Sequence, residues 1–247
     1  MMRLFFILFS LFLLLLACNN QEQVLDDFKL DLGKEYFPLK VGQFAIYQVD
    51  SIIFDPVGEK KIDTTSFQVK EEIVSYYEAP DKKTIFIMER YERKDVSENW
   101  RITNVWSVYF VNNTLIRVED NLRFVKLIFP VVPKKTWNPN ANFDDDINIT
   151  VAGETLKMFK DWIASVEKIE DELIINGLVF KDIAKILPVN NENLIEYRYG
   201  IEQYAKNIGL IYRELWILDT QRIDPTLPWE QKAEKGFILK QEIIAHN

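Results

Sequence analysis

The sequence predicts a mainly β fold, an antiparallel sheet of many strands with at most one or two short helices. Two observations carry that expectation. Apolar and polar residues alternate with a period of two along one run after another, the pattern of a half-buried strand whose successive side chains point to opposite faces. Between the runs stand short clusters of Pro, Gly, Asn and Asp, the residues that tight turns require.

The first element is not a strand. Arg3 precedes residues 4–17, apolar except for Ser10, a stretch with the length of a signal h-region and too short to cross a bilayer. It ends in Leu15-Leu16-Ala17-Cys18, and polar Asn19-Asn20-Gln21-Glu22-Gln23 follows. This junction resembles the lipobox of the bacterial lipoprotein signal family, with Leu16 where Ala or Ser is commoner. The resemblance implies that residues 1–17 are a signal peptide and that Cys18 becomes the acylated (palmitate-bearing) N-terminus. Each buried acyl methylene contributes about 0.8 kcal/mol, so two chains anchor stably where one does not. Cys18 is the only cysteine, so none is left for a disulfide, a zinc-thiolate site or a thiol nucleophile. Removal of the signal leaves about 230 residues, enough to bury a core without staples. Residues 18–34, polar with scattered Val24, Leu25, Phe28 and Leu30, read as a lipidated tether, and residues 35–247 as a single β-rich domain.

The domain opens at Tyr36 to Gly42, where Pro38 and Gly42 punctuate the way into an aromatic and β-branched strand over residues 44–54. Asp55-Pro56-Val57-Gly58 is a turn, and residues 64–77 form a second strand, with Phe67, Val69 and Ile73 on one parity and Gln68, Lys70 and Glu72 on the other. Strands over 84–93, 99–111 and 114–119 continue a meander, the last two joined by Asn112-Asn113. Residues 122–132 are apolar on both parities in part, which suits a central strand covered on both faces. Over residues 154–169 helix and strand stay open, because Leu156, Phe159, Trp162, Ile163 and Val166 lie at helical spacing within a β-like composition. Asn176-Gly177 is the strongest hairpin signal, strands follow over 194–204 and 208–218 with Gly209 marking a bend or bulge, and 237–244 closes the domain.

Three landmarks, in order, resemble those of Gram-negative envelope lipoproteins related to TapB-like domains. They are Tyr36-x-Pro38-Leu39-x-x-Gly42, Lys135-Thr136-Trp137-Asn138, and Glu202-x-Tyr204-Ala205-Lys206-x-Ile208-Gly209-Leu210-Ile211-Tyr212. The resemblance spans most of residues 36–244. It implies a strongly curved antiparallel sheet, an open or half barrel, and brings no catalytic residue across. Physical reasoning runs the same way: so many strands with aromatic faces must close, pack as two sheets or wrap around something.

Little in the chain looks reactive. His246 is the only histidine, which sets aside Ser-His-Asp and Cys-His arrangements and histidine zinc sites, and no glycine-rich phosphate loop is present. The formal net charge of −8 without a basic cluster argues against nucleic acid as a partner. Acid pairs such as Glu71-Glu72, Asp171-Glu172 and Glu196 with Glu202 bear on glycoside hydrolysis, which needs two carboxylates at a set separation. Asn138, Asn140, Asn142, Asp144 and Asp146 place oxygens at every second position, a spacing calcium loops use, although Phe143 and Ile149 stand where such a loop needs glycine and a bidentate acid. Pro228 and Trp229, in the long segment 219–236, are candidates for a partner contact.

Three functional classes follow. The leading expectation is a non-catalytic lipoprotein at the outer membrane, facing the periplasm, that binds another envelope protein as an accessory or assembly subunit. The second is a carrier or sensor of a lipid or glycan, and the third a hydrolase of envelope polysaccharide. An apolar cavity with a few convergent polar groups would favour the second, two facing carboxyls in a cleft the third, and an exposed apolar patch the first.

Overall fold

The computed structural model describes residues 32–247; the expected signal peptide, Cys18 and nearly all of the expected tether lie outside the described residues. A single-turn 3-10 helix, Lys34–Tyr36, leads into fifteen strands. The first six are β1 (Phe44–Phe54), β2 (Ile62–Glu78), β3 (Thr84–Arg93), β4 (Arg101–Val111), β5 (Thr114–Glu119) and β6 (Leu122–Ile128), an up-and-down meander. Then come β7 (Thr136–Trp137), the small hairpin β8 (Ile149–Val151) and β9 (Glu154–Leu156), and the long hairpin β10 (Ala164–Ile175) and β11 (Leu178–Leu187). Next are β12 (Asn190–Glu192), β13 (Glu196–Ala205), β14 (Gly209–Asp219), the one-turn helix α1 (Trp229–Lys232) and β15 (Lys235–His246). Thirteen strands share one antiparallel sheet in the order β6-β5-β4-β3-β2-β1-β15-β14-β13-β11-β10-β7, with β12 also paired to β13.

The strands arise where sequence alternation meets a buried face. Along β2, Phe67, Val69 and Ile73 share a parity and pack inward, opposite Val49, Tyr47 and their neighbours on β1. Register slips at Ile46/Tyr47, Ile73/Ser75, Arg90/Tyr91, Leu115/Ile116, Val166/Lys168 and Gln203/Tyr204 mark bulges, each of which bends its strand and adds twist. Repeated around the sheet, they coil it until its two edges meet. There the Trp137 indole Nε1 donates to the Val125 carbonyl at 2.9 Å, and the Val125 amide donates to the Pro139 carbonyl at 2.8 Å. The sheet is therefore a strongly curved, nearly closed antiparallel barrel, as the sequence implied.

The closure places β6 at an edge of the sheet, not at its centre. Its mixed apolar pattern still has a physical reason: Val125 and Leu127 are buried in the core while Phe124 and Lys126 line a cavity, so both parities are covered. The segment left open between helix and strand resolves into β9, an irregular stretch and the start of β10. The irregular stretch sets Phe159 and Trp162 into the same cluster as Leu156, which accounts for helical spacing without a helix, and leaves Ile163 exposed.

The hairpin turns follow their chemistry. Asn176 and Gly177 both take positive φ, 51° and 79°, between β10 and β11, as a type I′ turn requires. Replacing Gly177 with Ala keeps open space around the new Cβ but forces an L side chain into the left-handed region. Gly177→Ala is expected to cost about 1 kcal/mol in urea denaturation, whereas an unchanged midpoint would mean that the turn readily re-forms without positive φ.

Candidate functional site

Where β5, β6, β13 and β14 face one another, a cavity of about 140 Å³ reaches the surface beside the exposed Asp120. Its apolar wall comes from β6, β7, β14 and the irregular stretch: Phe124, Trp137, Met158, Phe159, Trp162 and Leu215. The rings brace one another, Phe124 to Phe159 at 5.5 Å and Phe159 to Trp162 at 5.8 Å between centroids. Two hydrogen bonds, one buried and one part-buried, hold the stretch in place. The Asn140 side-chain amide donates to the Phe159 carbonyl at 2.7 Å, and the Trp162 indole donates to the Met158 carbonyl at 2.7 Å.

The polar floor is built from Glu119, Lys126, Glu202 and Arg213; Glu214 also borders the cavity, its carboxylate taken up by the Tyr212 hydroxyl and the Trp216 indole. Glu202 is 3% exposed and accepts from Lys126 Nζ at 2.5 Å and from the Tyr204 hydroxyl at 2.5 Å, with Arg213 Nε 3.6 Å away. Burial pushes its carboxyl up, but the Lys126 and Arg213 charges and these hydrogen bonds outweigh it and hold it down at about 2. Tyr204 moves the other way, its hydroxyl raised by burial and by the Glu202 charge. Behind the floor, Arg117 is 1% exposed and bonds Glu119 at 2.6 Å, and Glu71 reaches Arg117 at 3.6 Å and Arg90 at 3.4 Å. Burial works against the Glu119 and Arg117 charges, yet each keeps the other ionised: the Glu119 carboxyl is lowered and the Arg117 guanidinium raised. Both guanidinium groups of this inner pair lie over Trp106, Arg117 at 4.9 Å and Arg90 at 5.5 Å from the ring centroid.

The structure separates several of the residues that the sequence singles out. Asn138 and Asp144 each accept a backbone amide two residues on, at 2.8 Å and 3.0 Å. Asn140 turns inward to Phe159, Asn142 contacts the Arg123 carbonyl at 3.4 Å, and Asp146 pairs with Lys157 at 2.7 Å, so the five oxygens do not converge. Among the described residues no group of three or more His, Cys, Asp and Glu side chains is placed to hold a metal ion. Trp229 faces its own chain: it is 7% exposed, stacks on Tyr197 at 5.4 Å and donates to Glu192 at 2.7 Å, with Pro228 at the N-cap of α1. His246 lies 5.9 Å from the Phe180 ring at the sheet's surface. Glu71 and Glu72 point to opposite faces, Glu72 pairing with Lys70 at 2.7 Å. Glu196 sits at the far end of β13 from Glu202, beside Arg198.

Sequence reasoning missed Lys126, Arg117, Glu119 and Arg213. The available signal was parity: Arg117 shares the face of Leu115, and Arg213 that of Ile211 and Leu215, all buried. A charge on an inward parity is tolerated only when paired.

No protein-family model and no curated protein matches the chain. Among solved structures it is similar to one described as a lipoprotein of Parabacteroides distasonis ATCC 8503, at 13% identity over 86% of this chain and 98% of that one, with a TM-score of 0.38. A second is described as an exported protein of Bacteroides fragilis NCTC 9343 with a YmcC-like fold, at 12% identity over 85% of this chain and 98% of that one, with a TM-score of 0.36.

Proposed function

We propose that this protein is a lipid-anchored, non-catalytic envelope protein that carries or senses a small amphipathic molecule in its barrel cavity. The observation that carries the reading is the cavity itself, with apolar walls and a few convergent polar groups, the usual composition of a small-molecule site. Its volume is close to the roughly 150 Å³ of an apolar cavity that takes up benzene, so it suits a ring or a short chain with a polar head toward the floor. The anchor rests on the lipobox-like junction at Cys18, and the outer membrane facing the periplasm is the corresponding location.

The chemistry of the floor supports binding over hydrolysis. A glycosidase needs one carboxyl that keeps its proton near neutral pH, and Glu119 and Glu202, the two carboxylates of the floor, are both held ionised by cations. The assembly-subunit reading keeps one observation in its favour: Ile174 and Val179, register partners near the β10–β11 turn, are 62% and 55% exposed. Native mass spectrometry of the full chain released from its own envelope separates the two. A small amphipathic molecule retained one to one is the expected result; a stoichiometric protein partner with no small molecule would overturn the carrier reading in favour of assembly.

A further inference from the structure

Resting on that ligand-binding reading, the balance of hydrogen-bond donors and acceptors at the cavity floor identifies the head group. Lys126 has three N–H donors and directs one to Glu202. Arg213 has five, and among the described residues its one ion pair is with Glu202, whose Oε1 lies 3.6 Å from Nε, beyond hydrogen-bond reach, and its guanidinium donates no hydrogen bond to them. Most acceptors are already engaged. Glu202 Oε1 takes Lys126 and Oε2 takes Tyr204, and Glu119 Oε1 takes Arg117, which leaves Glu119 Oε2 as the floor oxygen without a donor among the described residues. Donors thus exceed acceptors at the floor, and Lys126 and Arg213 share one carboxylate between them.

The geometry points to a small organic carboxylate as the ligand, its oxygens on the Arg213 guanidinium and its aromatic or aliphatic body against Phe124, Phe159 and Trp162. A second carboxylate gives each of the two cations a partner, and the planar fork of arginine matches its two oxygens. A neutral head accepts fewer of the free donors, and an ammonium head brings only donors to a floor that already has too many.

Phenylacetate, phenylacetamide and phenethylamine share one body and differ in the head. With the full chain in phosphatidylcholine nanodiscs, their binding is read from tryptophan fluorescence, since Trp137 and Trp162 line the cavity. Phenylacetate is expected to bind about tenfold or more tightly than either analogue. Arg213→Gln should erase that preference, and Arg213→Lys, which restores the charge without the fork, should recover part of it. If the three probes bind alike, or the preference survives Arg213→Gln in a variant of unchanged circular dichroism, the carboxylate assignment is overturned while the cavity reading stands. If no probe binds, both fall.

Discussion

Glu202→Gln is expected to lower the stability of the folded domain by about 3–5 kcal/mol, the usual cost of removing one partner from a buried ion pair. The carboxylate is nearly inaccessible and answers Lys126, Arg213 and Tyr204 at once. The neutral amide leaves two cations facing each other in the barrel interior. In a domain of this size the melting temperature should fall by on the order of 10 °C. The pH dependence gives a second reading. The Glu202 carboxyl stands at about 2 in the folded protein against an ordinary value of 4.5, so its contribution is complete above pH 4.5 and is lost as pH falls toward 2. The stability difference between wild type and Glu202→Gln should therefore narrow across that acid window. A difference that stays constant from neutral pH down to pH 2 would show that Glu202 does not draw its stabilisation from ionisation.

The second large effect is expected at the seam. Trp137→Ala should cost about 3–5 kcal/mol, because it deletes a large buried side chain and opens a cavity where few neighbours can collapse. It also removes the indole hydrogen bond to the Val125 carbonyl, one of the bonds that tie the edges of the sheet. Trp137→Phe separates the two contributions. It retains most of the ring volume and loses the bond, leaving a buried carbonyl without its partner, at about 1–3 kcal/mol. Hydrogen exchange at the Val125 amide reports the seam directly and should accelerate in both variants. If Trp137→Ala unfolds at the wild-type urea midpoint, the edges are held together by something other than this residue.

Most of the architecture is legible in the sequence because period two survives wherever one face of a strand is buried and the other is wet. The bounds expected for β1, β3 and β5 are those observed, and the Asn176-Gly177 turn stands where its chemistry requires. Bulges are less visible. A slip such as that at Leu115/Ile116 leaves no mark in the apolar pattern, and β6, covered on both parities, reads as a central strand when it is an edge closed by a later segment of the chain. The candidate site is harder still. Lys126 and Glu202 are 76 residues apart, and each is a single charge in its own strand. Nothing local tells a buried, paired lysine from a solvated one, since the partner is supplied by a strand on the other side of the barrel. Only the ring closure brings them together.

That ring has one further consequence, for the order in which it can form. The first strand and the last, β1 and β15, are neighbours in the middle of the sheet, with Ala45 opposite His246. The meander from β1 to β6 pairs locally and can zip as it is synthesised. Its β1 edge, however, stays unpaired until some two hundred further residues exist and β15 arrives. Contacts between such distant segments are slow to form, and an open strand edge in the meantime invites pairing with the wrong chain. A chain of this topology has reason to be kept from folding until its last strand is available, and truncating β15 should yield aggregation in place of a smaller barrel.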